Sequence, residues 1–219
     1  MGNLCGAEGD YETQNDQSFN DDYPSNVPSS SETGDYDFSI KIVLVGAQGT
    51  GKSSIINRFE SESFKEQYKK TIGMDFSSRL ITLQNGRRIQ LQIWDASGAL
   101  EHDNPERFVY YNNAHGLILA YDITNLKSFK ILQQSYDEFL SYTSETGQHT
   151  LKMIIGNKID NDARREVPYH LGEDYAINLG ALFYETSCLT GQNVEHAIYS
   201  FNAEISNYFS QFVNKYHDR

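Results

Sequence analysis

Short apolar runs rich in β-branched residues alternate along the chain with stretches of helical periodicity. An apolar run of roughly four to eight residues between turn residues predicts a buried strand, and apolar residues recurring every three or four positions predict a helix. The predicted strands cover residues 40–45, 76–83, 89–94, 116–122, 153–157 and 182–185. The predicted helices cover residues 51–59, 126–142, 169–179 and 193–216.

The order of these elements predicts the fold class. Asn85 and Gly86 separate the second strand from the third, and this pair is a strong signal for an antiparallel hairpin. The later strands alternate with helices, which favours βαβ units. We therefore predict an α/β fold with a mostly parallel sheet and helices on both faces.

The first 38 residues differ in composition from the rest of the chain. They carry nine acidic side chains and no Lys or Arg, and the whole chain has a formal net charge of −12. A polar segment of one charge sign buries too little apolar surface to offset its ordering entropy. We predict a disordered acidic tail at residues 1–38, a single domain at 39–216 and a short end at 217–219. The nearly neutral domain has no basic stripe, so we expect no nucleic-acid partner.

Cysteine usage and hydropathy bear on the location of the protein. Cys5 and Cys188 lie in segments of different character, so no disulfide framework is predicted. No apolar run approaches the roughly 18–20 residues that cross a bilayer, and no signal peptide pattern is present. We expect a cytoplasmic protein.

A phosphate-binding motif follows the first predicted strand. Residues 46–53 read GAQGTGKS and fit G-x-x-x-x-G-K-[ST] between a strand and a helix. Its glycines let backbone N–H groups turn toward phosphates, and the helix N-terminus adds partial positive charge. Lys52 is suited to reach the β- and γ-phosphates, and the Ser53 hydroxyl to ligate Mg²⁺. The alternative is a glycine-rich turn without a ligand.

The choice of base is predicted at the end of the fifth strand. Residues 157–160 read NKID, and the carboxylate of Asp160 can accept hydrogen bonds from N1–H and the 2-amino group of guanine. Adenine has neither donor there and would leave the carboxylate unpaired, which selects strongly against it. Ligands of open α/β sheets bind at this carboxyl edge. The alternative is an ordinary polar loop between a strand and a helix.

A third motif closes the third predicted strand. Asp95 follows that strand and is succeeded by Ala96, Ser97 and Gly98. Its carboxylate suits a magnesium site beside the phosphate-binding loop, and the backbone N–H of Gly98 could bind a γ-phosphate. An aspartate that merely ends a strand is the alternative.

Together these blocks resemble the Ras superfamily, and most closely its Rab branch, over roughly residues 39–210. The segments that carry the resemblance are residues 71–76 (TIGMDF), 91–95 (LQIWD), 110–116 (YYNNAHG), 120–124 (AYDIT) and 185–187 (ETS). The resemblance implies a P-loop small G domain with a six-stranded sheet, one antiparallel strand and five helices.

The resemblance also implies roles for individual residues. Thr71 would complete Mg²⁺ coordination when the γ-phosphate is present, Phe64 would pack against guanine, and the loop at Ser187 and Cys188 would support the base. The predicted catalytic residues are Lys52, Thr71 and Gly98, and the predicted metal ligands are Ser53, Thr71 and Asp95. The residues predicted to bind nucleotide are Gly46, Gln48, Gly49, Thr50, Gly51, Lys52, Ser53, Ser54, Phe64, Asn157, Lys158, Asp160, Ser187 and Cys188.

Two departures from the family pattern concern hydrolysis. Ala99 stands where family members usually have the glutamine that orients the attacking water. Gln48 stands in the phosphate-binding loop where the family mostly has a small residue. We predict slow GTP hydrolysis and a persistent GTP state. Glu101, His102 or Gln48 are the candidates that could replace the missing glutamine.

The ends of the chain also depart from the Rab pattern. The sequence ends NKYHDR without a cysteine, so we expect no prenylation. The N-terminus reads MGNLCG, which makes Gly2 a candidate for N-myristoylation and Cys5 for palmitoylation. The motif prefers Ser or Thr where Gly6 stands, and an unmodified N-terminus is the alternative. One acyl chain binds membranes only marginally, so stable attachment would need both.

The leading hypothesis is a Rab-like GTPase that binds GTP and GDP with Mg²⁺ and acts in membrane traffic on a cytosolic membrane face. Its expected partners are effector, exchange-factor and GTPase-activating proteins, which read loops at residues 64–76 and 95–111. The first alternative is a pseudo-GTPase, a nucleotide-binding interaction module with negligible catalysis. A metabolic P-loop kinase or ATPase is the second, but it has no need of Asp160.

Overall fold

A six-stranded sheet forms the centre of the computed structural model, which describes residues 36–61, 74–82, 86, 88–96, 106–143 and 150–217. The strand order is β2-β3-β1-β4-β5-β6. The β2–β3 ladder is antiparallel and the other four ladders are parallel. This confirms the predicted α/β class. The strands are β1 (Phe38–Val45), β2 (Met74–Thr82), β3 (Arg88–Ala96), β4 (Gly116–Asp122), β5 (Leu151–Asn157) and β6 (Leu182–Thr186).

Helices connect the strands and cover the sheet. In addition to the α-helices, a 3₁₀ helix spans Ile159–Arg164, directly after β5. Among the described residues the longest helix is the last, and no helix there is long and apolar enough to cross a membrane. The helices are α1 (Lys52–Ser61), α2 (Glu106–Tyr111), α3 (Leu126–Lys130), α4 (Leu132–Thr143), α5 (Tyr169–Leu179) and α6 (Val194–His217).

Two apolar layers hold the helices against the sheet. Because side chains alternate along a strand, β1 sends Ile42 and Leu44 into one layer and Val43 into the other. The first layer joins α1 to α6 through residues such as Phe59 and Phe201. Full burial of one such side chain contributes about 1.5–3 kcal/mol, so the two layers together hold the helices firmly against the sheet.

The register of the parallel strands aligns their carboxyl ends. Leu44 lies opposite Asp95, and Asn157 lies opposite both Asp122 and Thr186. Polar residues that follow the apolar runs therefore gather at one edge of the sheet. This edge carries the loops in which the sequence predicts nucleotide binding.

Several element boundaries differ from the predictions. The first strand begins at Phe38, because Asp37 already exchanges hydrogen bonds with Arg88: its N–H donates to the Arg88 carbonyl and its carboxylate accepts from the Arg88 N–H. The predicted helix 126–142 is two helices that break at Ile131, where the N–H donates to Lys127 and Phe129 carbonyls. Apolar periodicity does not detect such a bend.

Two short helices were not predicted from the sequence. Helix α2 lies inside the segment 95–111 that the sequence predicts to be a loop, and the 3₁₀ helix Ile159–Arg164 follows the NKID motif. Counting α2 and the division at Ile131, the described residues contain six α-helices rather than the five expected from the resemblance. Segments this short depend on tertiary contacts more than on periodicity.

Candidate functional site

The loop between β1 and α1 depends on three glycines. Gly46, Gly49 and Gly51 have φ of 143°, 81° and 95°, values that L-residues with a Cβ rarely adopt. A Cβ on Gly46 would lie 2.1 Å from the Ala120 carbonyl oxygen, and one on Gly51 would lie 2.3 Å from Nδ2 of Asn157. The loop therefore leaves its backbone uncovered by side chains at these three positions, and backbone N–H groups in such a loop can bind anions.

Lys52 begins α1 and folds back over the same loop. Its Nζ donates to the carbonyl oxygens of Gly46 at 2.8 Å and Ala47 at 3.0 Å, and the residue is 6% exposed. Burial lowers the pKa of Lys52, and the charge of Asp95 opposes this shift. Since a buried ammonium is costly without an anionic partner, the geometry favours binding of an anion here.

Ser53 and Asp95 place a hydroxyl and a carboxylate, two possible metal ligands, next to each other near Lys52. The Ser53 hydroxyl donates to Oδ2 of Asp95 at 2.5 Å, and Asp95 is 1% exposed. Hydroxyl and carboxylate oxygens are the ligands that Mg²⁺ prefers, so this donor set fits the predicted metal. Thr71 and Gly98, predicted to act with this pair, lie outside the described residues.

Asn157 connects the base-reading motif to the phosphate-binding loop. Its Nδ2 donates to the Thr50 carbonyl oxygen at 2.9 Å, while its Oδ1 accepts from the Thr186 hydroxyl at 3.2 Å and the Cys188 thiol at 3.4 Å. Asn157 is 1% exposed, so these contacts are shielded from water. One amide thus links β5, the loop after β6 and the phosphate-binding loop.

Lys158 makes a second link between the two motifs. It has a positive φ of 73°, which turns the chain sharply after β5. Its Nζ donates to the Gly49 carbonyl oxygen at 2.7 Å and pairs with Oδ2 of Asp122 at 2.7 Å. The ammonium therefore ties the phosphate-binding loop to the ends of β4 and β5.

Asp160 lies at the open side of this edge. It is exposed, and its Oδ1 accepts a hydrogen bond from the Ser187 hydroxyl at 2.5 Å. The same Ser187 oxygen accepts from the Thr190 N–H at 3.1 Å, and the Ser187 N–H donates to the Gln192 carbonyl oxygen at 3.0 Å. Asp160 and the loop that follows β6 thus form adjoining walls of one polar site.

The thiol of Cys188 is buried in this site. Burial raises the pKa of Cys188 to about 12, so the thiol stays protonated at neutral pH. A protonated thiol is a weak nucleophile and a weak donor. Cys188 therefore contributes packing and its contact with Asn157 rather than covalent chemistry.

Most of the predicted nucleotide-binding residues that the structure describes meet at this one edge. Gln48 is exposed in the phosphate-binding loop, and Ser54 is half-buried in the first turn of α1. Their contacts with a ligand stay predictions, as do those of the other site residues. Other predicted residues lie outside the described part of the chain: Gly2, Cys5, Phe64, Thr71, Gly98, Ala99, Glu101 and His102.

Two residues of the site were missed in the sequence. Asp122 ends the apolar strand β4, much as Asp95 follows the apolar run of β3, and that shared pattern was the available signal. Thr186 hydrogen-bonds to Asn157 only because β5 and β6 are neighbours, which the sequence does not give directly.

Comparison with known proteins places these features in a family. The model of the Ras family matches residues 41–207. The chain is 38% identical over 176 residues to Ras-related protein RABD2a of Arabidopsis thaliana, covering 78% of this chain and 82% of that protein. It is 39% identical over 178 residues to Ras-related protein RIC1 of Oryza sativa subsp. japonica, covering 79% and 83%. It is 39% identical over 178 residues to GTP-binding protein ypt2 of Schizosaccharomyces pombe, covering 79% and 84%.

The match spans the sheet and both loops of the candidate site. Apart from the first three residues of β1, all six strands lie within the matched residues, as do the glycine-dependent loop and the NKID motif. On these grounds the chain belongs to the Ras family and is a Rab-like small GTPase.

Proposed function

We propose that this chain binds GTP and GDP together with Mg²⁺ and acts as a switch in intracellular membrane traffic, with slow hydrolysis. The observation that carries the proposal is the double link between the phosphate-binding loop and the NKID motif. Asn157 donates to Thr50 in that loop, and Lys158 donates to Gly49. Two motifs about a hundred residues apart are thus joined into one site, in which the phosphate-binding loop would hold the phosphates and the NKID motif the base.

Selectivity for guanine rests on Asp160 in this proposal. Its exposed carboxylate would accept from N1–H and the 2-amino group of guanine, which adenine cannot supply. We expect wild-type protein to bind GDP far more tightly than ADP, and Asp160→Ala to lose most of that preference. Calorimetry with both nucleotides measures this, with Asp174→Ala on the exposed face of α5 as control. Retention of full guanosine preference by Asp160→Ala would refute the assignment.

Magnesium binding rests on Ser53 and Asp95. When bound, Mg²⁺ neutralises charge on the nucleotide phosphates. In this proposal the Ser53 hydroxyl would bind Mg²⁺ directly, and the Asp95 carboxylate would hold a water ligand of the metal. Thr71 would add a further ligand when GTP is bound. The hydrogen bond between Ser53 and Asp95 holds both oxygens together on the side of the loop near Lys52.

Slow hydrolysis is proposed because Ala99 cannot orient a water molecule. In this class of enzymes an arginine finger alone is worth about 10³–10⁵ in rate, and the glutamine that orients the attacking water acts on the same step. Ala99→Gln should therefore raise the single-turnover hydrolysis rate by at least about ten-fold. If the wild-type protein hydrolyses GTP as fast as ordinary Rab proteins and Ala99→Gln does not change that rate, another group must orient the attacking water.

A second candidate function is an interaction module that binds nucleotide without useful turnover. Ala99 is the feature that favours it, while the intact Ser53 and Asp95 pair fits bound metal and nucleotide in either case. Measuring nucleotide affinity and turnover on one preparation separates the two. Tight GTP binding with no turnover, even with a GTPase-activating protein, would favour the module.

Partners and membrane attachment are part of the same proposal. Effector, exchange-factor and GTPase-activating proteins would read residues 64–76 and 95–111, whose contacts would change with the γ-phosphate in this proposal. Acylation at Gly2 and Cys5 would hold the protein at a cytosolic membrane face, since two chains give stable attachment. Mass spectrometry of the natively expressed N-terminus tests this, and an unmodified Gly2 would exclude it.

A further inference from the structure

Arg165 makes a branched set of hydrogen bonds just beyond the 3₁₀ helix. Its Nη1 and Nη2 donate to the two carboxylate oxygens of Glu185 at 2.6 and 2.9 Å, and its Nε donates to Oδ1 of Asp162 at 2.7 Å. Nη1 also donates to the Val167 carbonyl oxygen at 3.1 Å. The paired contact with Glu185 uses the planar fork of the guanidinium, which gives it a defined geometry.

The two carboxylates belong to the two walls of the candidate base site. Asp162 lies two residues after Asp160, and Glu185 lies two residues before Ser187. Arg165 therefore joins the segment that carries Asp160 to strand β6, which ends just before Ser187. Its side chain is 22% exposed and that of Glu185 is 11% exposed, so the pair is partly shielded from solvent.

A second contact extends this link into the loop after β6. Nδ2 of Asn193 donates to the Glu185 carbonyl oxygen at 2.8 Å. Glu185 is thus held through its side chain by Arg165 and through its backbone by Asn193. Asp160 and Ser187 meet directly through one hydrogen bond, and Arg165 bonds to a residue two positions away from each of them, Asp162 and Glu185.

We propose that Arg165 is a positioning residue for guanine recognition, because it fixes the separation between Asp160 and the Ser187–Cys188 loop. The proposal rests on the proposed function and adds a residue outside the set predicted to bind nucleotide. Recognition of a base needs its partners held to within about 0.5 Å, which supporting contacts must provide. Partly exposed ion pairs contribute little to overall stability, so the main effect of Arg165 should be on the geometry of the site.

The test compares GDP with IDP, which lacks the 2-amino group that Asp160 would bind. We expect Arg165→Gln to speed GDP dissociation about ten-fold, as loss of a charged hydrogen-bonded contact predicts. IDP can donate only its N1–H to Asp160, so the IDP dissociation rate should change less than the GDP dissociation rate. The preference of the variant for GDP over IDP should therefore fall. Glu185→Gln should act in the same direction, and the double variant should add little to either change. Arg164→Gln is the matched control, since Arg164 is the exposed neighbour.

A structural role alone would give another result. If Arg165→Gln lowers the melting temperature but leaves the GDP dissociation rate and the preference for GDP over IDP unchanged, the proposal is overturned. If Arg165→Gln does not fold, Arg165→Lys decides, because it keeps the charge but loses the fork. An intermediate rate and preference for Arg165→Lys support the proposal, and wild-type values overturn it. Wild-type protein with no preference for GDP over ADP would instead overturn the proposed function itself.

Discussion

Asn157→Asp tests the link between the base-reading motif and the phosphate-binding loop with little change in volume. The introduced carboxyl keeps an acceptor for the Thr186 hydroxyl and the Cys188 thiol. It replaces the Nδ2 donor with an oxygen that faces the Thr50 carbonyl oxygen, whose distance to Nδ2 is 2.9 Å. Two acceptors then face each other at a residue that is 1% exposed.

The size of the effect follows from burial. Leaving a buried polar group without its hydrogen bond costs about 1–3 kcal/mol, and a buried ionised carboxylate adds to this. If about 2 kcal/mol of that cost falls on the nucleotide complex, GDP dissociates roughly thirty-fold faster, since 1.4 kcal/mol is a factor of ten. Burial raises the pKa of a carboxyl group, and the protonated form can again donate to Thr50. The defect should therefore be smaller at acidic pH.

The assay is displacement of a fluorescent GDP by excess GDP, at pH 7.5 and at pH 5.5. Asn125→Asp is the control, because it adds the same charge at the exposed N-cap of α3, where aspartate caps as well as asparagine. Equal dissociation rates for wild type and Asn157→Asp at pH 7.5 would refute the reasoning. A defect that does not diminish at pH 5.5 would refute the part that concerns protonation.

Three further predictions concern stability and metal binding. Gly46→Ala should lower the free energy of unfolding far more than Gly49→Ala, because its Cβ would lie 2.1 Å from the Ala120 carbonyl oxygen. A Cβ on Gly49 would meet no atom within 4 Å, so Gly49→Ala should cost only the strain of positive φ, about 1–2 kcal/mol. Urea denaturation of the two variants measures the difference. Burial lowers the pKa of His115 to about 4, below its value in the unfolded chain. As pH falls, the unfolded state is therefore protonated first, and the free energy of unfolding should fall by up to about 3 kcal/mol between pH 6.5 and pH 4. His115→Asn should flatten that part of the curve of unfolding free energy against pH. Ser53→Ala should weaken Mg²⁺ binding to the GDP complex by about ten-fold or more while sparing metal-free GDP binding, and titration with Mg²⁺ checks this.

The sequence was most informative where the physical signal is continuous along the chain. Strand β4 was predicted with its observed bounds, because all seven of its residues are buried and its first six form an uninterrupted apolar run. The glycine-dependent loop was predicted because glycine adopts positive φ at far lower cost than other residues, so its spacing in the motif marks the turn. By contrast, the 3₁₀ helix is too short for apolar periodicity to predict, and the contact between Arg165 and Glu185 joins residues twenty positions apart in sequence.

The same reasoning explains which parts of the candidate site were missed. Asp122 enters the site because β4 and β5 are adjacent and Lys158 reaches back to it. Apart from its place after an apolar run, nothing in the local sequence distinguishes that aspartate from any other residue ending a strand. Glu185 likewise gains its role only from a side chain twenty positions earlier in the chain. Pairwise contacts of this kind require the strand order before they can be inferred.

The place of β1 in the sheet has a mechanical consequence. The strand enters the domain at Phe38, and parallel ladders to β3 and β4 flank it on its two sides. A force applied at residue 38 along the strand axis therefore loads both ladders in shear, so many hydrogen bonds must yield together rather than one after another. The phosphate-binding loop begins at the far end of the same strand, eight residues away, and is sheltered from tension applied at residue 38.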